Sequence, residues 1–326
     1  MLIPAAAPLL LLALAAGPID GAYRGTVGKL EVFARLQEGA NGSLSGTYFY
    51  ASRGRDLQLS GERRGARIDL VERAGGKATG RFSGAADGGT LAGKWRSGRR
   101  SLTFRLEAIP RGGEGPVLIA TKDASRTVKL PRGGTFGGKE CKVETTSPEL
   151  FGLLDPEVEA ELNRALRPED EDCGDAGEHT RSFLVHLNRA GLLSLSLASY
   201  GFSEGAAHPY SETVSFNVWT RTGRTVRWDD LFLAGAAEAA KSRLDPTIRA
   251  AAANAEADAS AADLLRNALA PPDADFFLED KGIRLNPSPG LPQGLKALGR
   301  GDFFVPFEEL RPWLARSGDA AKLWMP

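Results

Sequence analysis

Between residues 21 and 108, apolar and polar positions alternate in short bursts. The runs "KLEVFARLQ", "SLSGTYFYAS", "RDLQLSGE", "ARIDLVER", "KATGRFSGA", "GTLAGKWRS" and "SLTFRLEA" are separated by Gly, Asn, Asp or Arg-Gly turns, and "ADGGT" and "SGRRS" read as hairpin links. In the first run Leu30, Val32, Ala34 and Leu36 share one face, while Glu31 and Arg35 take the other. With "GAYRG" as a first strand, the count is about eight, and eight short antiparallel strands lose their exposed edges by closing into a barrel. Gly46, Gly61, Gly80, Gly84 and Gly93 recur near strand ends or centres, where they relieve crowding as a small barrel bends. Tyr48, Phe49 and Tyr50 read as core fillers or rim braces, with a ligand cavity as the second reading.

Beyond this segment the pattern changes. Residues 109–132 begin as a Pro/Gly linker, with a boundary near Gly112–Gly115, and return to strand-like sequence. In "SPELFGLLDPEVEAELNRALRPED", Ser147 and Asp155 each stand before a proline and can each start a helix. Val158, Leu162, Ala165 and Leu166 fall on one helical face. An acidic loop follows. "RSFLVHLNRAGLLSLSLASYGF" then predicts a hairpin, with Phe183, Val185 and Leu187 alternating on one arm and Leu193, Leu195 and Leu197 on the other. "ETVSFNVWTRTGRTVRWDDLF" predicts a second hairpin turning at Thr222-Gly223, with Asp229-Asp230 at a helix entry. An alanine-rich helical stretch from about 234 to 269 is expected to break at Asp245-Pro246. "DFFLEDKGIRLNP" and "GDFFVPFEEL" supply closing strands. The expected fold class is α+β: an all-β, antiparallel, barrel-like domain over 18–110, then a mixed domain with antiparallel sheet and Ala-rich helices over 111–326.

Charge sharpens this division. Residues 21–110 carry sixteen Lys+Arg against eight Asp+Glu, and residues 111–326 carry 25 against 32, although the whole chain is neutral. A neutral total gives no support to a nucleic-acid role, while the basic half can meet an anionic partner. The start, "MLIPAAAPLLLLALAAGPIDG", is apolar over residues 2–17, which is short for a bilayer span. Ala13-Leu14-Ala15 resembles a small-residue cleavage site, so residues 1–17 read as a signal peptide and the protein as periplasmic or secreted, with no membrane span after cleavage. An uncleaved anchor is the alternative. Two cysteines agree with export: a Cys141–Cys173 disulfide would close a loop of 33 residues, worth about 3–4 kcal/mol in the chain-entropy model.

The N-terminal motifs "GAYRG" and "GTYFY" resemble a short β module with a GxYxG start and a GxYxY centre, common at the N-terminus of exported bacterial proteins. The second half has an ordered set of motifs: "YGFSEGAAHPY", then "TRTGR" leading into "WDDLF", an Ala-rich helix, "DFFLEDKGI" and "FFVPFEEL". This order resembles the extracytoplasmic domain of RsiV-like lysozyme-sensing anti-sigma factors, a domain also found beside the catalytic domain of some peptidoglycan deacetylases. That family has a Gly-Gly-Ala-His-Pro turn, which corresponds here to Gly205-Ala206-Ala207-His208-Pro209. Where relatives carry a Tyr-Glu-rich segment, this chain has "NPSPGLPQGLKALGRGD". The resemblance implies an α+β fold and recognition of a protein or glycan of the cell envelope, with lysozyme as the named candidate. Sigma-factor control is not carried over, because it needs a cytoplasmic segment and a membrane span that are not found in this sequence.

The chemistry-bearing residues are few. His208 sits between Ala207 and Pro209, with Ser203, Glu204, Tyr210, Ser211 and Glu212 nearby. Its placement favours a turn-shaping role in which the imidazole satisfies turn backbone groups. Ser203, Glu204, His208 and Tyr210 are the candidate binding residues. His186, between Val185 and Leu187, is expected on the polar side of its strand, and His179 in the acidic loop. The three histidines match no metal-ligand spacing, and Asp170, Glu171, Asp172 and Asp175 lack the EF-hand order. No nucleophile elbow, P-loop or zinc-protease motif occurs. The expectation is therefore a non-catalytic exported binding protein with no cofactor and no metal. The alternatives are an envelope-polymer hydrolase using His208 with a nearby carboxylate, and a structural envelope protein.

Overall fold

Eight strands follow one another in the first unit: β1 (Gly21–Val27), β2 (Leu30–Glu38), β3 (Ser43–Tyr50), β4 (Leu57–Arg64), β5 (Arg67–Ala74), β6 (Lys77–Asp87), β7 (Thr90–Ser97) and β8 (Arg100–Ala108). The computed structural model describes residues 19–112, 115–130, 137–167, 176–255 and 257–324. The proposed signal peptide and Cys173 lie outside these residues. The chain divides into two units, the first ending at Ile109 and the second starting at Pro110, except that Ser52–Gly54 group with the second.

Each barrel strand pairs antiparallel with the next, and β8 closes onto β1 with Leu106 opposite Gly25. The interior holds Tyr23, Val32, Leu36, Leu59, Ile68 and Phe82 among others. Leu30 departs from the predicted face: it begins its strand at a turn and is 46% exposed. Tyr48 lies in the interior with Tyr50 packed against it, whereas Phe49 stacks on Phe33 with ring centroids 5.6 Å apart. Period-two patterning did not reveal that the barrel encloses a carboxylate. Glu72 is 4% exposed. It accepts hydrogen bonds from the Tyr48 hydroxyl, from Trp95 Nε1 at 2.7 Å and from Thr79 Oγ1 at 2.5 Å. Burial, reinforced by the bond to Glu72, pushes the Tyr48 phenol well above its ordinary pKa.

The barrel glycines answer to sterics. A Cβ on Gly61 would stand 1.9 Å from the Asp69 carbonyl oxygen, and one on Gly84 2.1 Å from that of Ala92. The strands approach closely where the small barrel coils, and a side chain has no room.

The second unit contains β9 (Leu118–Lys129), β10 (Glu140–Phe151), α1 (Pro156–Leu166), β11 (Gly177–Arg189), β12 (Leu192–Ser203) and β13 (Tyr210–Trp219). Next come α2 (Trp228–Leu231), α3 (Ala236–Asn254), α4 (Ala259–Ala268), β14 (Asp275–Glu279), β15 (Gly282–Asn286), β16 (Phe304–Pro306), α5 (Phe307–Leu310) and α6 (Gly318–Trp324). A five-stranded sheet has the order β13-β12-β11-β10-β9, and a second sheet the order β14-β15-β16. Among the described residues only the β10–β11 pair is parallel, and α1 lies in the crossover that such a pair requires. Asp155 caps α1, accepting from the Glu157 N–H at 2.8 Å, with Pro156 at the first helical position. Leu162 and Leu166 are buried on the face that packs on Leu193 and Leu195. Ala165, predicted on that face, is exposed.

Several predicted elements are corrected. Ser147 starts no helix; it lies inside β10, paired with Lys122 of β9. His179 belongs to β11, not to a loop. Only an isolated bridge, Val218–Thr225, forms where a second hairpin arm was predicted. The Ala-rich stretch does not break at Pro246; α3 runs through it, and the interruption falls between Asn254 and Ala259. A proline inside a helix costs about 3 kcal/mol. Ala240, Leu244, Ile248 and Ala252, spaced four apart and all buried, hold the helix together across that position. The alternation on β11 is interrupted by a register shift between Val185 and Leu187, so Val185 is 39% exposed while Leu187 is buried.

Gly61→Ala is expected to lower barrel stability by about 1–3 kcal/mol, because the added methyl meets backbone rather than a movable side chain. Denaturant melts of the full chain check this; an unchanged transition for the barrel would show that the strands can part at no cost.

A candidate binding site at the seam between two sheets

β14 and β13 are each edge strands of their sheets. Edge backbone groups that leave water need partners, and side chains of the opposite sheet supply them. Asn217 Nδ2, on β13, donates to the Phe276 carbonyl at 2.6 Å, and the Leu278 N–H donates to Ser194 Oγ at 2.9 Å. In return Asp275 accepts from the Ser215 N–H at 3.1 Å and from its hydroxyl. The Thr213 N–H donates to Ser288 Oγ at 3.0 Å, and Asn286 Nδ2 donates to the Thr213 carbonyl at 2.8 Å. Ser194, Asn217 and Asn286 are all buried.

Asp275 is the centre of this seam. Its Oδ2 also accepts from Asn286 Nδ2 at 2.5 Å. Burial raises its pKa above the ordinary carboxylate value, against the lowering effect of the Ser215 and Asn286 hydrogen bonds. Beside it opens a cleft of about 550 Å³ between β13, the segment 225–229 and the segment 272–276. Phe216, Trp228 and Phe276 supply apolar wall, Asn217 and Asp275 polar wall, and Arg227, Asp229 and Asp273 an exposed charged rim. The size and the mixture suit a small ligand or one protruding group of a larger one. α2 fixes the rim: Asp230 accepts from the Arg227 N–H at 2.8 Å and pairs with Arg224 at 2.8 Å, as expected of a helix entry. A second hollow of about 560 Å³ lies between α3 and α4, but its rim cations are already paired, Lys241 with Glu238 at 2.9 Å and Arg266 with Asp263.

The predicted site residues lie elsewhere. Ser203 ends β12, Glu204 to Pro209 form the turn, and Tyr210 begins β13. Tyr210 is five residues from Ser215, roughly 17 Å along the strand, so the structure does not join the turn to the cleft. The turn is held by its backbone: the Glu204 N–H donates to the Ala176 carbonyl at 2.7 Å and the Ala206 N–H to that of Ser203 at 3.0 Å. The His208 imidazole is exposed and makes no hydrogen bond with a described residue, which corrects the expectation that it satisfies turn backbone. Tyr210 donates its hydroxyl to Glu212 at 2.6 Å. Among the described residues no group of His, Cys, Asp and Glu is arranged to hold a metal.

The sequence predicts His186 on the polar side of β11. The register shift instead lays its ring on Phe277, centroids 4.5 Å apart, with Nδ1 3.9 Å from Glu279. Its Nε2 is buried without a partner among the described residues. Desolvation lowers its pKa; Glu279 pulls the other way and Arg284 adds to the lowering.

Asp275 gives the seam a pH signature. Its folded pKa is raised, so between about pH 4 and that raised value the native state holds a proton that the unfolded chain releases. Stability contributed at this position is thus greatest at low pH and falls as pH rises through the window. Asp275→Asn keeps an oxygen toward Ser215 N–H and removes the titration. The wild-type minus variant difference in unfolding free energy is expected to decline with rising pH in melts across that range; a flat difference would place the carboxylate in water.

No family model matches the chain, and no curated protein does. Among solved structures, a member of the DUF3298 family from Bacteroides fragilis is similar, with 16% identity, a TM-score of 0.46, and coverage of 65% of this chain and 99% of that one. A DUF3298 family protein from Pseudomonas aeruginosa is also similar, with 15% identity, a TM-score of 0.43, and coverage of 66% and 100%. Neither likeness assigns a family to this chain.

Proposed function

We propose that this chain is an exported, non-catalytic binding protein that recognises a protein or glycan of the cell envelope, with lysozyme as the candidate protein partner. The observation that carries the reading is the cleft beside Asp275, a concave site of about 550 Å³ with a mixed apolar and polar wall and a charged rim. Its walls are set by hydrogen bonds between two sheets, so the cleft is formed before anything binds. The RsiV-like order of motifs over residues 115–326 supports the class of partner. His208 stands exposed at the tip of its turn, where a partner can contact it.

Export rests on the apolar run at residues 2–17 and on the two cysteines. Cys141 is completely buried beside Val128, Leu130 and Val143. Its proposed bond to Cys173 reaches outside the described residues. Peptide mapping without reductant is expected to recover the two cysteine peptides linked, and intact mass a chain starting near residue 16. Alkylation of both thiols in native protein would remove the disulfide from the proposal.

Calorimetry with lysozyme and with soluble envelope glycan fragments tests the function. Saturable binding is expected for one of them. Arg227→Ala combined with Asp229→Ala is expected to weaken it at least tenfold, about 1.4 kcal/mol, without moving the melting temperature. Loss through His208→Ala and Tyr210→Ala instead would move the site to the turn. Absence of saturable binding to both partner classes would sink the reading.

A further inference from the structure

The barrel is chemically polar along its axis. In a closed meander the connections alternate between the two ends, so the β1–β2, β3–β4, β5–β6 and β7–β8 turns all lie at one end. Those turns and their flanks present Lys29, Arg55, Lys77, Arg99 and Arg100, all exposed, against Asp56. None of the five basic side chains has an ion pair or hydrogen bond with a described residue. At the other end the bases are paired: Arg63 with Glu38 at 2.9 Å, Arg64 with Glu62 at 2.8 Å and Arg67 with Asp69 at 3.1 Å.

Two further observations concern the unpaired end. On the strand leading to the Gly98–Arg99 turn, Arg96 stands directly across from Arg81. Arg81 is paired with Asp69 at 3.4 Å, so the exposed Arg96 carries the charge left over from this cross-strand pair. Leu30, next to Lys29, is 46% exposed at the same end.

We propose that this end of the barrel docks on the headgroup plane of an anionic lipid bilayer. Lys29, Lys77, Arg99 and Arg100 flank three separate turns at this end, a spread that suits an extended anionic surface better than a single small anion, while the fourth turn, Ser52–Gly54, groups with the second unit. Basic residues near such a surface each gain from its negative potential, and one apolar side chain among them enters the interfacial region. A single-stranded nucleic acid would need aromatic platforms for its bases. The exposed aromatic residues among those described, Tyr200, Phe202 and Tyr210, all belong to the second unit.

The test is co-sedimentation of the full chain with phosphatidylcholine vesicles, with and without phosphatidylglycerol. Binding is expected only with phosphatidylglycerol, and it should fade as salt is raised. The combined variant Lys77→Gln, Arg99→Gln, Arg100→Gln is expected to lose roughly a hundredfold in partitioning, from about fivefold per residue. Leu30→Gln should lose several-fold, and Arg64→Gln with Arg67→Gln at the opposite end should change nothing. All these sites are exposed, and circular dichroism melts confirm that each variant folds. Equal binding to both vesicle types, equal binding by the triple variant, or capture by soluble heparin without vesicle binding would each overturn the proposal. None of these outcomes bears on the cleft beside Asp275.

Discussion

The second unit depends on two sheet edges satisfying each other. A strand edge that leaves water without partners costs about 1–3 kcal/mol for each stranded group. Here the small sheet places β14 against the five-stranded sheet, and Ser194 and Asn217 stand in for the missing neighbouring strand. Asp275, Asn286 and Ser288 do the same for β13. Because the caps are side chains, the two sheets meet without merging. Each keeps its own strand order, and a cleft persists beside the line where they touch. The large core of α3, α4, β14 and β15 side chains then closes over the other side of the small sheet.

The barrel meets the same requirement by a different route. Closure of β8 onto β1 leaves no edge to cap. Its cost appears as crowding, relieved at Gly61 and Gly84. Its buried carboxylate follows the rule seen in the seam: Glu72 is tolerated because Tyr48, Thr79 and Trp95 all donate to it.

Patterning made the barrel legible almost strand by strand, because one face of each strand fills an interior and period two survives. The second unit was less legible where both faces of a strand are covered. β12 buries Leu192 toward one core and Leu193 and Leu195 toward another, so alternation carries no direction. Ser194, Ser196 and Asn217 look like solvent positions in sequence, yet all three are buried. Their partners lie about sixty or more positions away for Asn217 and Ser194, beyond any local window. Pro246 misled for a related reason: its local penalty was visible, and the long-range packing that outweighs it was not. The histidines drew attention because they are rare, whereas the cleft is lined by common residue types with no motif.

The seam also ties together distant parts of the chain. Its hydrogen bonds join residues 84 positions apart at Ser194–Leu278 and 73 apart at Thr213–Asn286. Contacts so distant in sequence carry a large loop-closing entropy. A chain emerging from its N-terminus completes the barrel and can pair β9 through β13 while everything after Asp275 is still missing. Until the last fifty residues arrive, Ser215 and Thr213 present a bare strand edge, the kind of surface that recruits neighbouring chains into aggregates. The C-terminal segment thus covers an edge of its own sheet, and truncation within it exposes an adhesive border rather than merely shortening the protein.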